Sequence, residues 1–329
     1  MSQPRTCYPI HEVDPARKEG TESMGSKDKF WVRDEGKIRW LFKYSRRLVT
    51  SSADVDAATS DTIMYTGEHW AEKIAAEIAE VLGIPHAVVE LARERQSDRP
   101  GVKARDLMAT SPGELVHGNE LLVELDPSYP MLRGNYHARE HTLDNVFSVL
   151  SRPSVAIPTG FDVQMGIQAP VDLFVGYLLL DALIGNTDRH HENWALVSMS
   201  DGHKELAPSY DHASSMGRDL SDPQREQRLN PQDGRKTVAA YARKARSALY
   251  RVAQDDRPMS TLDAFAAAAA RRPDAAHAWR LRLHDADDEV LGAIVSRVPD
   301  QVMSKTAQRF VVRFLQYTRR QILDLDVGR

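Results

Sequence analysis

Two short runs near the N-terminus alternate apolar and polar residues. Lys29-Phe-Trp-Val-Arg33 and Arg39-Trp-Leu-Phe-Lys-Tyr44 flank Asp34-Glu-Gly-Lys37, and together they read as a β-hairpin. Over Glu68–Leu82 the period changes. Ile74, Ile78, Val81 and Leu82 share one face of a helix, and Gly83 supplies the stop. His86–Leu91 and Glu120–Leu125 read as further strands, whereas 93–118 is polar and loop-like. Asp126-Pro-Ser-Tyr-Pro130 then breaks the pattern. Residues 1–20 carry no periodicity and are expected to form a flexible arm. The order of strands, helix and strands predicts a small α+β lobe over 21–127.

The rest of the chain reads as mainly helical. Thr142–Leu150 is a short helix. Val171–Ile184 is apolar except for Asp172, Tyr177 and Asp181; it is shorter than the roughly 20 residues that span a bilayer, so it reads as a buried helix. Trp194–Ser198 and Glu205–Ala207 form a strand pair around Asp201-Gly202. Helices follow near 237–253, 261–271, 286–297 and 302–325, the last with Val311, Phe314, Leu315, Ile322 and Leu325 on one face. Arg243-Lys-Ala-Arg246 then reads as the solvated face of a helix. Residues 128–329 form the larger lobe.

Composition narrows the class. The 329 residues are 42% hydrophobic and 27% charged, the mixture of a globular protein, and the net charge of −4 argues against a dedicated nucleic-acid binder. A single cysteine, Cys7, excludes an internal disulfide and a Cys-rich zinc site, which points to a reducing, cytoplasmic setting. The N-terminus lacks the apolar stretch of a signal peptide. Only 11 of the 43 Lys and Arg residues are lysines, so chemistry that demands a lysine has few candidates.

The segment Asp181-Ala-Leu-Ile-Gly-Asn-Thr-Asp-Arg-His-His-Glu-Asn-Trp194 carries the most chemistry. A buried helix ends at Gly185, and a polar loop follows. Asp188 and Asn193 are separated by four residues, as in a loop where an Asp accepts the proton of an attacking hydroxyl and an Asn helps to hold magnesium. Leu206-Ala-Pro-Ser-Tyr-Asp211, beginning 18 residues after Asp188, offers a second carboxylate for the metal. Lys43 is the lysine set in an apolar strand, and Glu72 on the next helix is its pairing candidate. Glu124 and Leu125, before the break, stand where a hinge would meet adenine. Taken singly, each has a plainer reading: Asp188 as a helix cap or turn residue, Asn193 and Asp211 as turn residues, Lys43 as a snorkelling edge lysine and Glu72 as a solvated charge. His190, His191 and His212 do not have zinc-ligand spacing. His284-Asp285 has no supporting histidine pattern.

At these residues the sequence resembles the HipA-like serine/threonine protein kinases of toxin–antitoxin systems. Ala182 through Asn193 resembles their catalytic loop, and Leu206 through Asp211 their metal-binding motif. Gly25-Ser-Lys-Asp-Lys29 resembles the phosphate loop, Leu41-Phe-Lys43 the ATP-lysine strand, Glu72–Ile84 the pairing helix and Val123-Glu-Leu-Asp126 the hinge. The resemblance implies an α+β, two-lobed, protein-kinase-like fold with a small β-rich N-lobe and a larger, mainly helical C-lobe. It implies ATP and Mg2+ as cofactors and Asp188 as catalytic base. Asn193 and Asp211 become metal ligands, and Lys43, Glu72, Glu124, Leu125, Gly25 and Ser26 the nucleotide site. It further implies silencing by autophosphorylation in the phosphate loop, at Ser23 or Ser26. The implied partners are a protein substrate and an antitoxin or regulatory protein, with no membrane and no direct nucleic-acid contact. The loop lacks Gly-x-Gly-x-x-Gly, so its phosphate cover departs from the usual pattern. Two alternatives accompany this reading: a kinase-fold phosphotransferase acting on a lipid or small molecule, and a non-catalytic nucleotide-binding regulator.

Overall fold

The computed structural model describes residues 6–21, 28–47, 64–109, 113–131 and 138–326. The first lobe contains β1 (Ile10–Val13), β2 (Lys18–Thr21), β3 (Lys29–Arg33), β4 (Arg39–Tyr44), α1 (Glu68–Leu82), β5 (Val89–Glu94) and β6 (Pro100–Arg105). Its strands form one sheet in the order β1-β5-β6-β4-β3-β2. The expected hairpin is there, with Lys29 opposite Lys43 and Phe30 opposite Phe42. Strand alternation then decides which way β4 points each side chain. Trp40 and Phe42 join Val13, Phe30, Val32 and Ala92 in one apolar cluster. Leu41 and Lys43, registered against Ala104 and Val102, therefore face the other way. On the α1 side, Ile74 and Ile78 pack with Leu91, Val102 and Ala104. Val81, expected in that apolar face, is exposed instead.

Three expectations for this lobe are corrected. The described part of the expected arm, from residue 6, forms two strands: β1 pairs in parallel with β5, and β2 antiparallel with β3. Just ahead of them, Tyr8 is buried between the Lys73 ammonium and the Arg297 guanidinium, 4.8 and 4.3 Å from its ring. The polar stretch 93–118 holds β6, a central strand, and β7 (Gly113–His117). Lys103 disguised β6. It is buried because its ammonium lies 2.6 Å from Glu90 and 4.2 Å over the Trp40 ring, which lets a charged residue occupy a core strand. Finally, Glu120–Leu125 is helical, within α2 (Gly118–Leu125). Leu121, Leu122 and Leu125 have helical spacing, and the Glu120 carboxylate accepts the His117 backbone N–H at 3.2 Å.

The second lobe continues with α3 (Leu143–Leu150), β8 (Val155–Ala156), α4 (Pro170–Ile184), β9 (Ala195–Met199) and β10 (Lys204–Leu206). Then come α5 (Asp222–Leu229), α6 (Val238–Ala242), α7 (Thr261–Arg271), α8 (Pro273–Asp285), α9 (Asp288–Ser296) and α10 (Lys305–Leu323). A sheet ordered β7-β9-β10-β8 completes it. Because β7 pairs with β9, the chain passes between the sheets from Arg105 to Gly113, ahead of the boundary expected at 127. Every residue of α4 is buried, and α7, α8 and α10 surround it. The helix expected over 237–253 stops at Ala242, because tertiary hydrogen bonds replace helical ones. Ser247 N–H donates to Met259 C=O, and Tyr250 N–H donates to His141 C=O. Among the described residues, no helix is long and apolar enough to cross a membrane.

The packing of α4 on α8 gives a direct test. A Cβ on Gly176 would lie 2.5 Å from the Trp279 ring, and Trp279 is fully buried with its indole N–H donating to Asp172 C=O at 2.8 Å. The ring has no room to retreat. Gly176→Ala is therefore expected to destabilise the protein by about 1–3 kcal/mol, despite alanine's better helix propensity. Urea denaturation checks this; an unchanged or higher midpoint contradicts it.

Candidate active site

The site is built on a turn. Helix α4 ends at Gly185, whose φ of 64° is left-handed and whose missing Cβ leaves space for the Phe314 ring. The chain then folds back over a buried ion pair. Arg189 donates from Nε to Asp181 Oδ2 at 2.8 Å and from Nη2 to Asp181 Oδ1 at 2.9 Å. The same guanidinium donates to the Asn193 carbonyl (2.8 Å) and to Ser209 Oγ (2.9 Å). Asn186 Nδ2 donates to Asp181 Oδ1 at 2.8 Å. One cation thus ties together the end of α4, the loop and the segment leading to Asp211. Burial works against its charge, but the Asp181 carboxylate outweighs burial and raises the Arg189 pKa.

The loop presents Asp188 at the surface of this framework. Its Oδ2 accepts from Ser214 Oγ at 3.0 Å, and its backbone N–H donates to Asn186 Oδ1 at 3.2 Å. His190 Nδ1 accepts the Glu192 N–H, which assigns the ring proton to Nε2, 3.7 Å from Asp188 Oδ1. Burial lowers the His190 pKa more than the neighbouring Asp188 raises it, so the ring is held neutral. Asn193 spends its amide nitrogen on the Asp188 carbonyl (2.6 Å), leaving its amide oxygen for another partner. Asp211 follows β10 with a left-handed φ of 56°. The Lys43 ammonium lies 3.2 Å from Asp211 Oδ1 and 3.6 Å from Glu72 Oε1. Burial alone would lower the Lys43 pKa; the Asp211 and Glu72 carboxylates outweigh it and raise the pKa.

These groups surround one cleft of about 580 Å3 between the lobes, lined by Lys43, Asp188, Asn193 and Asp211 among others. Glu72 stands behind Lys43. Leu41, Ala104 and Leu115 add apolar surface to the lining, as does the chain crossing at 106–108 through Leu107 and Met108. Glu124 and Leu125 are not at this cleft. Glu124 pairs with Arg152 (3.1 Å) and Lys204 (3.5 Å), and Leu125 is partly exposed. The hinge expectation fails because the segment taken for a strand is a helix beyond the crossing. Gly25, Ser23 and Ser26 lie outside the described residues. Among the described residues, no group of three or more His, Cys, Asp or Glu is arranged to hold a metal. Asp211 and the Asn193 amide oxygen are nonetheless hard oxygen donors of the kind magnesium takes alongside water and phosphate.

Sequence reasoning passed over Asp181, Arg189 and Ser214. A charged residue inside a wholly apolar helix was the available signal, since a buried carboxylate requires a cation nearby.

No family model matches this sequence, and no curated protein is detectably similar to it. Solved structures are similar in fold. The Helicobacter pylori proinflammatory kinase CtkA superposes with a TM-score of 0.67 at 19% identity, over 96% of this chain and 96% of its own. HipA of Shewanella oneidensis MR-1, solved with HipB and operator DNA, gives 0.54 at 13% identity, over 92% of this chain and 65% of its own. The fold is kinase-like. In this kinase-like frame a mixed-sheet lobe sits beside a mainly helical one, and the cleft lies between them.

Two outcomes are expected from the site's construction. Arg189→Met leaves the Asp181 carboxylate buried without its partner, which should cost about 3–5 kcal/mol in urea denaturation. Asp181→Leu combined with Arg189→Met should recover much of that loss. The second outcome concerns acid. Burial is the leading cause that lowers His69 to about 4, His141 to about 3 and His191 to about 4. Their unfolded value is about 6.5. Their contribution is thus fully present above pH 6.5 and is lost as pH falls toward the folded values, because only the unfolded chain takes up the protons. Unfolding at pH 5 should bind at least about three protons, read from the slope of stability against pH. A flat profile between pH 6.5 and 4.5 contradicts the buried neutral rings.

Proposed function

We propose that this protein is an ATP- and magnesium-dependent serine/threonine protein kinase of the HipA-like type. The observation that carries the reading is the convergence of Lys43, Asp188, Asn193 and Asp211 on one cleft of a kinase-like fold, with Glu72 paired to Lys43 behind it. The cleft has the size of a small-ligand site, and its lining combines apolar side chains with charged ones. Adenine would lie against Leu41, Ala104 and Leu115, with its edge toward the 106–108 backbone. Lys43 then meets the phosphates, held on station by Glu72. Asp211 and the Asn193 amide oxygen would hold magnesium, which when bound neutralises charge on the phosphates. Asp188 accepts the proton of the acceptor hydroxyl. As the new bond forms between the acceptor oxygen and the γ-phosphorus, the bond from that phosphorus to the β,γ-bridging oxygen breaks, and ADP leaves. Ser214 orients Asp188 for this role through its 3.0 Å hydrogen bond.

The finer parts of the reading draw on the HipA likeness. They are silencing by autophosphorylation at Ser23 or Ser26, and control by a regulatory protein of the HipB kind.

Incubation with γ-labelled ATP and magnesium, followed by intact-mass and peptide analysis, tests the proposal. Wild-type protein is expected to incorporate phosphate. Asp188→Asn and Asp211→Asn should each lower incorporation by about 10²-fold or more at unchanged melting temperature. Undiminished transfer by Asp188→Asn would overturn its assignment as base. Transfer confined to lipid or small-molecule acceptors selects the small-substrate alternative, and nucleotide binding without any transfer selects the regulator.

A further inference from the structure

A second, smaller cavity of about 160 Å3 adjoins the cleft. The two share Thr187, Ser214 and Arg218, so the small cavity opens beside Asp188, next to the residue that precedes it and the residue that orients it. Met216, Tyr241 and Phe314 give it apolar walls, and exposed Lys244 contributes a cation. The cavity is well below the size of a nucleotide site and suits a single side chain.

The charges around it are unevenly committed. Arg218 is engaged by Glu68 and, at 3.2 Å, by Asp219. Lys244 makes no ion pair with a carboxylate among the described residues, and neither do Arg243 and Arg246. Arg243 instead leans on Tyr317, with its guanidinium 6.0 Å from the ring. These three cations are the stretch read from sequence as a solvated helix face. Because α6 stops at Ala242, they fall instead on an irregular segment that borders the cavity.

We infer that this cavity is the acceptor subsite, and that Lys244, flanked by Arg243 and Arg246, selects polypeptides with a carboxylate side chain close to the phosphorylated hydroxyl. The inference rests on the phosphotransferase reading above and adds its substrate class. The position supports an acceptor: a chain seated there brings its hydroxyl to Asp188 from the side that the nucleotide leaves open. The chemistry supports a peptide over a nucleic acid. The walls are partly apolar, the room is that of one side chain, and the Asp219 carboxylate shares the lining, which opposes a continuous polyanion. An isolated carboxylate can meet Lys244 and avoid Asp219.

A series of serine peptides in a neutral host, with Glu, Gln or Lys placed in turn at the three positions on either side, tests this with ATP and magnesium. Glu at one or two of these positions should raise kcat/KM by about tenfold over Gln, chiefly through KM. Lys244→Glu should abolish that preference while leaving the KM for ATP within about twofold. Arg246→Glu is the second variant and should reduce the preference in part. Equal use of Glu and Gln peptides, or a Glu preference that survives Lys244→Glu, overturns the subsite and leaves the kinase reading standing. Autophosphorylation without transfer to any peptide does the same. Absence of all phosphate transfer overturns the kinase reading itself. Competition by a short RNA oligomer against the Glu peptides, relieved in Lys244→Glu, would assign the cations to nucleic acid instead.

Discussion

The arrangement around the cleft depends on one buried ion pair. Asp181 lies in a helix with no polar face, where an uncompensated carboxylate is too costly to keep charged. Arg189 compensates it with two hydrogen bonds in fork geometry and still has donors to spare. Those remaining donors reach the Asn193 carbonyl and the Ser209 hydroxyl. The stability requirement of the helix and the geometric requirement of the loop are therefore met by the same guanidinium. A lysine could neutralise Asp181, but it lacks the planar fork that fixes several acceptors at once. Asp188 and Asn193 keep their spacing in space because the residue between them that anchors the loop is bound to rigid core.

A second clamp joins the lobes. Glu68, at the start of α1, accepts from the Arg46 backbone N–H (3.0 Å), from Thr66 Oγ1 (3.0 Å) and from the Arg218 guanidinium. Arg218 belongs to the loop that follows Asp211. The helix carrying Glu72 is thus fastened one turn away from it to the loop that orients Asp188 through Ser214. Movement of α1 would disturb both the Lys43 pairing and the loop beside Asp188, since the two are mechanically linked through Glu68. The N-terminal residues add a further hold on α1: Tyr8 N–H donates to Arg297 C=O, and the Tyr8 ring sits against Lys73 of α1.

What was legible in the sequence was what local pattern determines. The β3–β4 hairpin, α1 and α10 follow from periods of two and 3.6, α4 from its long apolar run, and the Lys43 placement from β-strand alternation. The Asp188–Asn193 spacing lies within one loop, so its geometry survives translation from sequence to space. The illegible parts depend on tertiary partners. Strand β6 is hidden by Lys103, which is tolerable only because Glu90 and Trp40 meet it from neighbouring strands. Helix α2 has a run of apolar residues too short to distinguish the two periods, and this ambiguity put the expected hinge at Glu124 and Leu125, beyond the chain crossing. The α5 and α8 helices, rich in charged residues, are held by contacts to α10 and α4 that no local window contains.

The distribution of charge across the cleft carries the last step. The strands of the first lobe line it with Lys29, Arg39, Lys43 and Arg105, while the second lobe contributes Asp188, Glu192 and Asp211. Here the Lys43–Asp211 pair at 3.2 Å bridges the two sides. An anion alone would satisfy the first lobe and be repelled by the second, and a cation alone would meet the reverse. The proposed ligand, a polyphosphate carrying a divalent cation, would satisfy both at once: phosphate oxygens toward the strand cations, metal toward Asp211 and the Asn193 oxygen. Such a ligand would replace the direct Lys43–Asp211 contact with two separate ones, and the charges of the two lobes would then be held apart by the species they act on. That division explains why Lys43 needs Glu72 behind it. With Asp211 on a metal, as proposed, Glu72 would be the carboxylate that keeps the buried ammonium charged and aimed.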